Sequence, residues 1–276
     1  MVVETNKQEE YMKRFRTVAA AAVLAMTGFA AFAQNLTGYD IAKRADEVDE
    51  GKTCSYTATL TLKSKKGAVR TREIMTREKD YGDVKKSVVV FVVPKDVEGV
   101  AYLSFDYPDK ANGTKPDSDS WLFMPAMKKT RRIAGSGKDD DFMGTDFTYA
   151  DMGDRGLTKD TFNLLGEDTV DGNACWKVES VAKDKSEKTQ RRILWYRKDN
   201  YKVVKGEFYD RQNELARVLT CSETIQIDGI WTTQKMFMEN VKSGHSTLLE
   251  MKNVRYNLPL DDKMFTVSAI ERGSVR

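Results

Sequence analysis

The chain is poor in the residues on which many enzymes are built. It has one histidine, His245, which lies in a strand-like segment with no cysteine or second histidine beside it. That leaves no histidine pair for a metal or for acid–base work. The three cysteines, Cys54, Cys175 and Cys221, are spaced for no zinc or redox motif. In an oxidising compartment one pair could close and one thiol would remain. Alternatively, each is a small, buried, apolar residue of a strand. The chain has no Gly-x-Ser-x-Gly, no His–Glu metal motif and no Gly-rich phosphate loop. Asp139-Asp140-Asp141 lacks the alternation of a calcium loop and reads as a solvated turn. No residue is therefore assigned to catalysis, a metal or a cofactor.

Charge of one sign is also lacking. Lys and Arg number 45 against 42 Asp and Glu, a formal charge of +3. Residues 1–33 carry four of those bases (Lys7, Lys13, Arg14, Arg16) and three acids (Glu4, Glu9, Glu10), so the rest stands at +2. Near balance excludes wholesale nucleic-acid binding. The one long uncharged apolar run, residues 18–33, is too short to read as a membrane span. Lys13, Arg14 and Arg16 precede it, and Ala31-Phe32-Ala33 ends it before Gln34, the pattern of a secretory signal peptide. The acidic prefix before Met12 does not suit such a signal, which places the native start at Met12 and residues 1–11 outside it. No cysteine follows Ala33 directly, which argues against a lipid-anchored terminus. Residues 34–276 then form a single exported, soluble domain; about 240 residues fit one domain when the fold is a large sheet or barrel.

What is present is mostly strands. Thr37 and Asp40 suggest a capped helix over Tyr39–Val48, ended by Gly51. Cys54–Leu62 alternates, and Val69–Arg77 returns as a hairpin partner. Val84–Val93, Val100–Tyr107 and Trp121–Met124 follow as runs apolar on both faces, which must be covered on both. Alternation resumes in Thr161–Glu167, Ala174–Ala182, Gln190–Arg197, Val203–Tyr209, Leu215–Ile227, Trp231–Glu239 and Thr247–Tyr256. Asp171-Gly172 and Asp228-Gly229 are hairpin turns. Phe265–Val267 suggests a last short strand. Strands with short turns make an antiparallel meander, and pattern alone leaves a closed barrel, an open barrel and a sandwich as alternatives.

The densest segment is 119–152. Trp121, Leu122, Phe123, Met124 and Pro125 lead into Lys128, Lys129, Arg131 and Arg132. A Gly-Ser-Gly turn and the three aspartates follow, and then Phe142, Met143, Phe147, Tyr149 and Met152 among Asp, Gly and Thr. Side chains of this size need an apolar partner, worth roughly 1.5–3 kcal/mol each when fully buried. The order W-L-F-M-P-A-x-x-K-x-R-R-I-A-G-S, then D-x-F-M-G-T-D-F-T-Y-x-D-M, resembles the outer-membrane lipoprotein-sorting family, the LolA/LolB-like carriers.

The resemblance implies a mainly β fold: one curved antiparallel sheet forming an incomplete β-barrel, its concave side covered by a few helices. Tyr39–Val48 and Phe142–Met152 are the candidate cover. It also implies a periplasmic carrier or chaperone that takes lipids or lipoprotein acyl chains in a hydrophobic cavity and moves them toward the outer membrane. Partners would be an inner-membrane transporter and an outer-membrane acceptor. Candidate cavity residues are Trp121, Phe123, Met124, Phe142, Met143, Phe147 and Met152, with Met127 beside them, because Met fills irregular space. The alternative is a non-catalytic periplasmic subunit that docks on an inner-membrane transporter. The basic cluster meets anionic headgroups or an acidic partner, or is the solvated face of a strand with Arg131 and Arg132 on opposite sides. Arg131 or Arg132 is expected to pair with Asp146 and fix the loop, with Phe147 as its anchor. N-terminal sequencing of the exported protein is expected to find Gln34 or a neighbour; recovery of the intact chain in membranes would refute the signal peptide.

Overall fold

A computed structural model describes residues 36–275. The apolar run at 18–33 and its Ala-x-Ala end lie outside the described residues. Helix α1 (Gly38–Asp46) begins at Thr37, whose hydroxyl accepts from the Asp40 N–H while the Asp40 carboxylate accepts from the Thr37 N–H. That reciprocal cap starts the helix one residue before the expected Tyr39. The helix, with Ile41 and Ala42 buried, packs against the strands Asp160–Val170 and Asn173–Ala182, so close that a Cβ on Gly38 would meet the Asn163 backbone at 2.6 Å.

Thirteen strands form one antiparallel sheet. They are β1 (Thr53–Lys63), β2 (Val69–Asp80), β3 (Lys85–Val93), β4 (Ala101–Asp106), β5 (Asp119–Met124), β6 (Lys129–Ile133), β7 (Asp160–Val170), β8 (Asn173–Ala182), β9 (Arg191–Arg197), β10 (Val203–Tyr209), β11 (Leu215–Ile227), β12 (Ile230–Asn240) and β13 (His245–Tyr256). The order is β6-β5-β4-β3-β2-β1-β13-β12-β11-β10-β9-β8-β7. Each strand pairs with its neighbour in sequence, except that β1 pairs with β13 and β6 does not pair with β7. The sheet is therefore not closed, and its two edges are strands adjacent in the chain. The meander, the two-sided strands and the unclosed sheet agree with the sequence reading. The closed-barrel and sandwich alternatives fall away.

Strand parity divides the sheet into two packed faces. One face carries Ala58, Leu60, Leu62, Ile74, Val89, Phe91, Tyr102 and Leu122, packed with Phe142, Phe147 and Tyr149 of the segment after β6. The other face carries Val88, Val90, Ala101 and Leu103, packed with Phe265, Ala269, Ile270 and Val275. The C-terminal segment is not the strand expected at Phe265–Val267. It is a 3-10 turn (Asp262–Met264) followed by helix α2 (Val267–Arg272). Thr266 caps α2 by accepting from the Ala269 N–H, and Gly273 ends it at φ 66°, so local capping outweighs the β-branched residues. Cys54, Cys175 and Cys221 are buried free thiols in strands, and burial pushes Cys54 and Cys221 up to about 12. Ile270, on the buried face of α2, is fully buried. Ile270→Ala is expected to cost about 2–5 kcal/mol in urea unfolding, and an unchanged midpoint would show that α2 does not cover this face.

Candidate functional site

Because β6 and β7 are opposite edges, the segment between them must cross the opening of the sheet. Its first part, residues 134–153, forms a strap over the Ala58–Tyr102 face. Within it, the Phe142 N–H donates to the Phe147 carbonyl at 2.7 Å and the Tyr149 N–H to the Asp140 carbonyl at 3.1 Å. The turn between them places Met143 at φ 51° and Gly144 at φ 75°, the primed geometry that favours glycine. Thr148 and Asp151 cap each other at the following 3-10 turn, Tyr149–Met152. The rings of Phe142, Tyr102 and Tyr149 lie 5.4–5.5 Å apart in tilted and edge-on contacts.

Polar contacts pin the strap to strands far apart in sequence. Arg72 of β2 donates to the Met143 carbonyl. Arg131 of β6 lies beside the Tyr149 hydroxyl, whose pKa burial raises against the pull of that guanidinium. Arg217 of β11 donates to the Asp146 carbonyl at 3.1 Å, pairs with the Asp151 carboxylate and lies over the Phe208 ring at 4.9 Å. Asp146 is buried, and its carboxylate accepts from Thr247 at 2.7 Å and meets His245 Nδ1 at 2.6 Å. Its own N–H donates back to Thr247 at 3.0 Å. Lys188, in the turn after β8, donates to the Asp139 carbonyl and Asp140 carboxylate at 3.2 and 3.3 Å.

The expected pairing of Asp146 with Arg131 or Arg132 is not what is found. Arg131 and Arg132 do point to opposite sides of β6, but Arg131 lies beside Tyr149 and Arg132 pairs with Asp119. Asp146 is reached instead by β13, through His245 and Thr247. Of the candidate cavity residues, Met124, Phe142, Met143, Phe147 and Met152 meet on the strap face. Trp121 and Phe123 do not join them. Side chains alternate along a strand, so these two face α2, with Trp121 edge-on to Phe105 at 5.1 Å. Met127 is exposed. Leu194, Leu219, Met236 and Met251, from β9 and β11–β13, complete the apolar surface.

Along the same face the chemistry changes in rows. Register aligns Ala58, Ile74 and Phe91 in one row, and Tyr56, Thr76, Val89, Tyr102 and Leu122 in the next. Beyond these come Cys54, Glu78, Ser87, Ser104 and Ser120, then Asp80, Lys85 and Asp106. Rows on one face are about 7 Å apart along the strands. Ser87 and Ser104 share a hydrogen bond at 3.1 Å. Burial pushes Glu78 up to about 7, with the charges of Glu50, Asp154 and Asp106 adding to it against Lys85. Burial and Asp154 push Asp106 up to about 6. At Lys85 burial pulls down, but Asp154, Glu50 and Glu78 outweigh it and raise the ammonium. The strap ends over this polar row: a Cβ on Gly153 would fall 2.7 Å from Asp106 Oδ1, and Asp154 reaches Lys85 at 3.7 Å. Neither Glu78 nor Asp106 is recognisable in the sequence, because only cross-strand register aligns them with the serines.

A family model described as an uncharacterized protein matches residues 83–272. The crystal structure of a DUF1329 family protein from Desulfovibrio piger superposes with a TM-score of 0.79 at 33% identity, covering 84% of this chain and 97% of that one. The chain belongs to the DUF1329 family. A domain that carries the name of an outer membrane lipoprotein-sorting protein, from Vibrio parahaemolyticus, matches this DUF1329 chain with a TM-score of 0.78 at 29% identity over 85% of this chain and 98% of that one. A LolA superfamily protein from Nitrosomonas europaea shares the fold, with a TM-score of 0.65 at 22% identity over 84% of this chain and 99% of that one. No curated protein matches the chain.

In this DUF1329 member the strap hangs on Asp146 and Arg217. Asp146→Ala removes the acceptor of Thr247 and His245 but leaves every strand pairing in place. Hydrogen exchange at the Phe142 and Tyr149 amides is expected to speed up by about tenfold or more, equivalent to a local loss near 1–3 kcal/mol. Exchange in β7–β10 is expected to stay unchanged. Equal protection in the strap would show that apolar packing alone holds it.

Proposed function

We propose that this protein is an exported, periplasmic carrier that binds acyl chains of lipids or lipoproteins on the strap face and transfers them toward the outer membrane. The observation that carries this reading is the strap itself. It covers a broad apolar surface with a few rings and methionines, and it is tied down by side-chain hydrogen bonds that can open one by one. An acyl chain contributes roughly 0.8 kcal/mol for each CH2 it buries, so a guest can replace what the strap rings lose. Met124, Met143, Met152, Met236 and Met251 are only partly buried around the strap. Thioether side chains adapt to guests of different shape. The fold shared with the LolA superfamily neighbour and the name of the Vibrio relative support a carrier.

In this reading the chemistry is binding, and the partners are a transporter in the inner membrane and an acceptor at the outer membrane. Among the described residues no helix is long and apolar enough to cross a membrane. None of their His, Cys, Asp and Glu groups is arranged to hold a metal ion. The strap is the mobile cover, and α1, packed on β7 and β8, stays with the sheet.

The test is native purification followed by lipid extraction and mass spectrometry, with titration of a fluorescent fatty acid into the delipidated protein. Met124→Gln on the sheet and Met143→Gln on the strap are each expected to weaken binding by about tenfold, which corresponds to 1.4 kcal/mol, with strand content unchanged. Trp121→Ala, on the α2 face, is expected to leave binding unchanged. Failure of the delipidated protein to bind any acyl chain would overturn the carrier and leave the docking-subunit reading in its place.

A further inference from the structure

We propose that the polar end of the strap face is a headgroup site for the ammonium group of an amphiphile, with Glu78 and Asp106 as the acceptors. The proposal rests on the carrier reading and names the class of its cargo.

Register carries it first. Tyr56, Thr76, Val89, Tyr102 and Leu122 form a largely apolar row, and Glu78, Ser87, Ser104 and Ser120 stand beside it on the same strands. A molecule lying along the strands therefore passes from an apolar to a charged surface within about 7 Å, one pleat repeat. That is the polarity profile of an amphiphile with its head at the β2–β4 end.

The partners of the charged groups carry it second. Among the described residues Glu78 makes no hydrogen bond and no ion pair; Lys85 acts on it only through longer-range attraction. Asp106 is buried to 7% exposure, yet among the described residues its carboxylate accepts one hydrogen bond, a long one from Ser104 at 3.4 Å. Lys115, Lys85 and Lys138 act on Asp106 only at longer range. Lys85 holds Glu50 at 2.7 Å and Asp154 at 3.7 Å, and Lys202 holds Glu50 at 3.4 Å. A buried carboxylate without a cation or N–H partner is costly, and here buried Asp106 and half-buried Glu78 face one short stretch of the same surface. Burial raises both pKa values, the direction expected of acceptors still lacking a positive partner.

The sign of the charge selects the ligand. An anionic head would meet Glu78 and Asp106, while Glu50 and Asp154 already hold Lys85. An ammonium brings one positive charge and several N–H donors, matching two carboxylates and the Ser87–Ser104 hydroxyls. A metal ion is the wrong guest, because none of the described carboxylates, thiols or the histidine form a metal-holding group. Strap and site are joined through Gly153 and Asp154, so the movement that uncovers the apolar rows also uncovers Asp106.

The experiment is calorimetric titration of the mature chain, delipidated, with dodecylammonium and with dodecanoate, both below their micelle concentrations. Dodecylammonium is expected to bind about tenfold tighter or more, a difference of 1.4 kcal/mol, and the ratio is expected to shrink with added salt. Glu78→Gln and Asp106→Asn should bring the ratio toward one while dodecanoate binding is kept or improved. The wild-type ratio decides without any variant having to fold. Equal or tighter binding of dodecanoate by the wild type would overturn the headgroup site and leave the carrier standing. A ratio that both variants leave unchanged would overturn the role of these two carboxylates. Ethanolamine binding as tightly as dodecylammonium would show a site for soluble amines and overturn the amphiphile. Binding of neither C12 compound would overturn the carrier and the headgroup site together.

Discussion

The two edges of the sheet, β6 and β7, are consecutive in the chain, and the rest of the structure follows from that. A sheet of thirteen strands that does not close leaves an opening, and the connection between its edges has to span it. The connection cannot be a short turn. It becomes the strap, which supplies what a barrel would have obtained from its far wall: apolar side chains facing Ala58, Ile74, Phe91 and Tyr102. The second apolar face of β3–β5 needs a cover of its own, and the C-terminal segment with α2 provides it. Both covers answer the same demand, since strands apolar on both faces cannot be left to water. They differ in how they are held. The α2 segment is capped at both ends and buries Phe265 and Ile270 completely. The strap is built of 3-10 turns and is tied down through side chains.

That difference decides which cover can move. Burying Phe142, Phe147 and Tyr149 contributes about 5–9 kcal/mol on transfer scales. A guest chain of about ten methylenes gives back roughly 8 kcal/mol. The two are close enough that strap and chain can compete for one surface, and the arginine and Asp146 contacts then set the balance. Arg72, Arg131 and Arg217 come from three separate strands, and Thr247 and His245 from a fourth. Opening therefore need not break the sheet ladders. Regions whose contacts are few and separable are the ones that open locally.

The sequence made the strands legible because burial on one face leaves a two-residue period, and turn residues such as Asp171-Gly172 and Asp228-Gly229 mark where it breaks. Both-face burial of Val88–Val93 and Trp121–Met124 was legible for the same reason. The identity of the covers was less so. Parity already separates Trp121 and Phe123 from Leu122 and Met124, yet all of them lie in one apolar cluster of the sequence, and clustering hides the face. Asp146 and His245 are 99 residues apart, and only the β1–β13 pairing brings β13 under the strap. Arg131 was a reasonable partner for Asp146 by proximity in sequence, but a strand residue reaches what lies over its own face, and for Arg131 that is Tyr149. The Glu78–Ser87–Ser104 row leaves no local signal, since each member looks like an ordinary polar residue of an alternating strand.

The polar row also gives the strap a direction. Its first half, from Phe142 to Tyr149, covers apolar rows, and its end, at Gly153 and Asp154, reaches Asp106 and Lys85. Gly153 is needed there because any side chain would strike the Asp106 carboxylate, and Asp154 brings the charge that holds Lys85. A guest that lifted only the apolar half would leave Asp154 on Lys85 and keep the far end of the strap in place. A guest whose ammonium head binds Glu78 and Asp106 or draws Asp154 from Lys85 would loosen that end as well. In the proposed carrier, full opening would depend on both parts of an amphiphile at once: the chain displaces rings, and the head disturbs the ion pairs. A simple hydrocarbon provides only the first. In the proposed carrier, the same strands that make the face apolar in one row and charged in the next would make the strap sensitive to amphiphiles as a class rather than to grease alone.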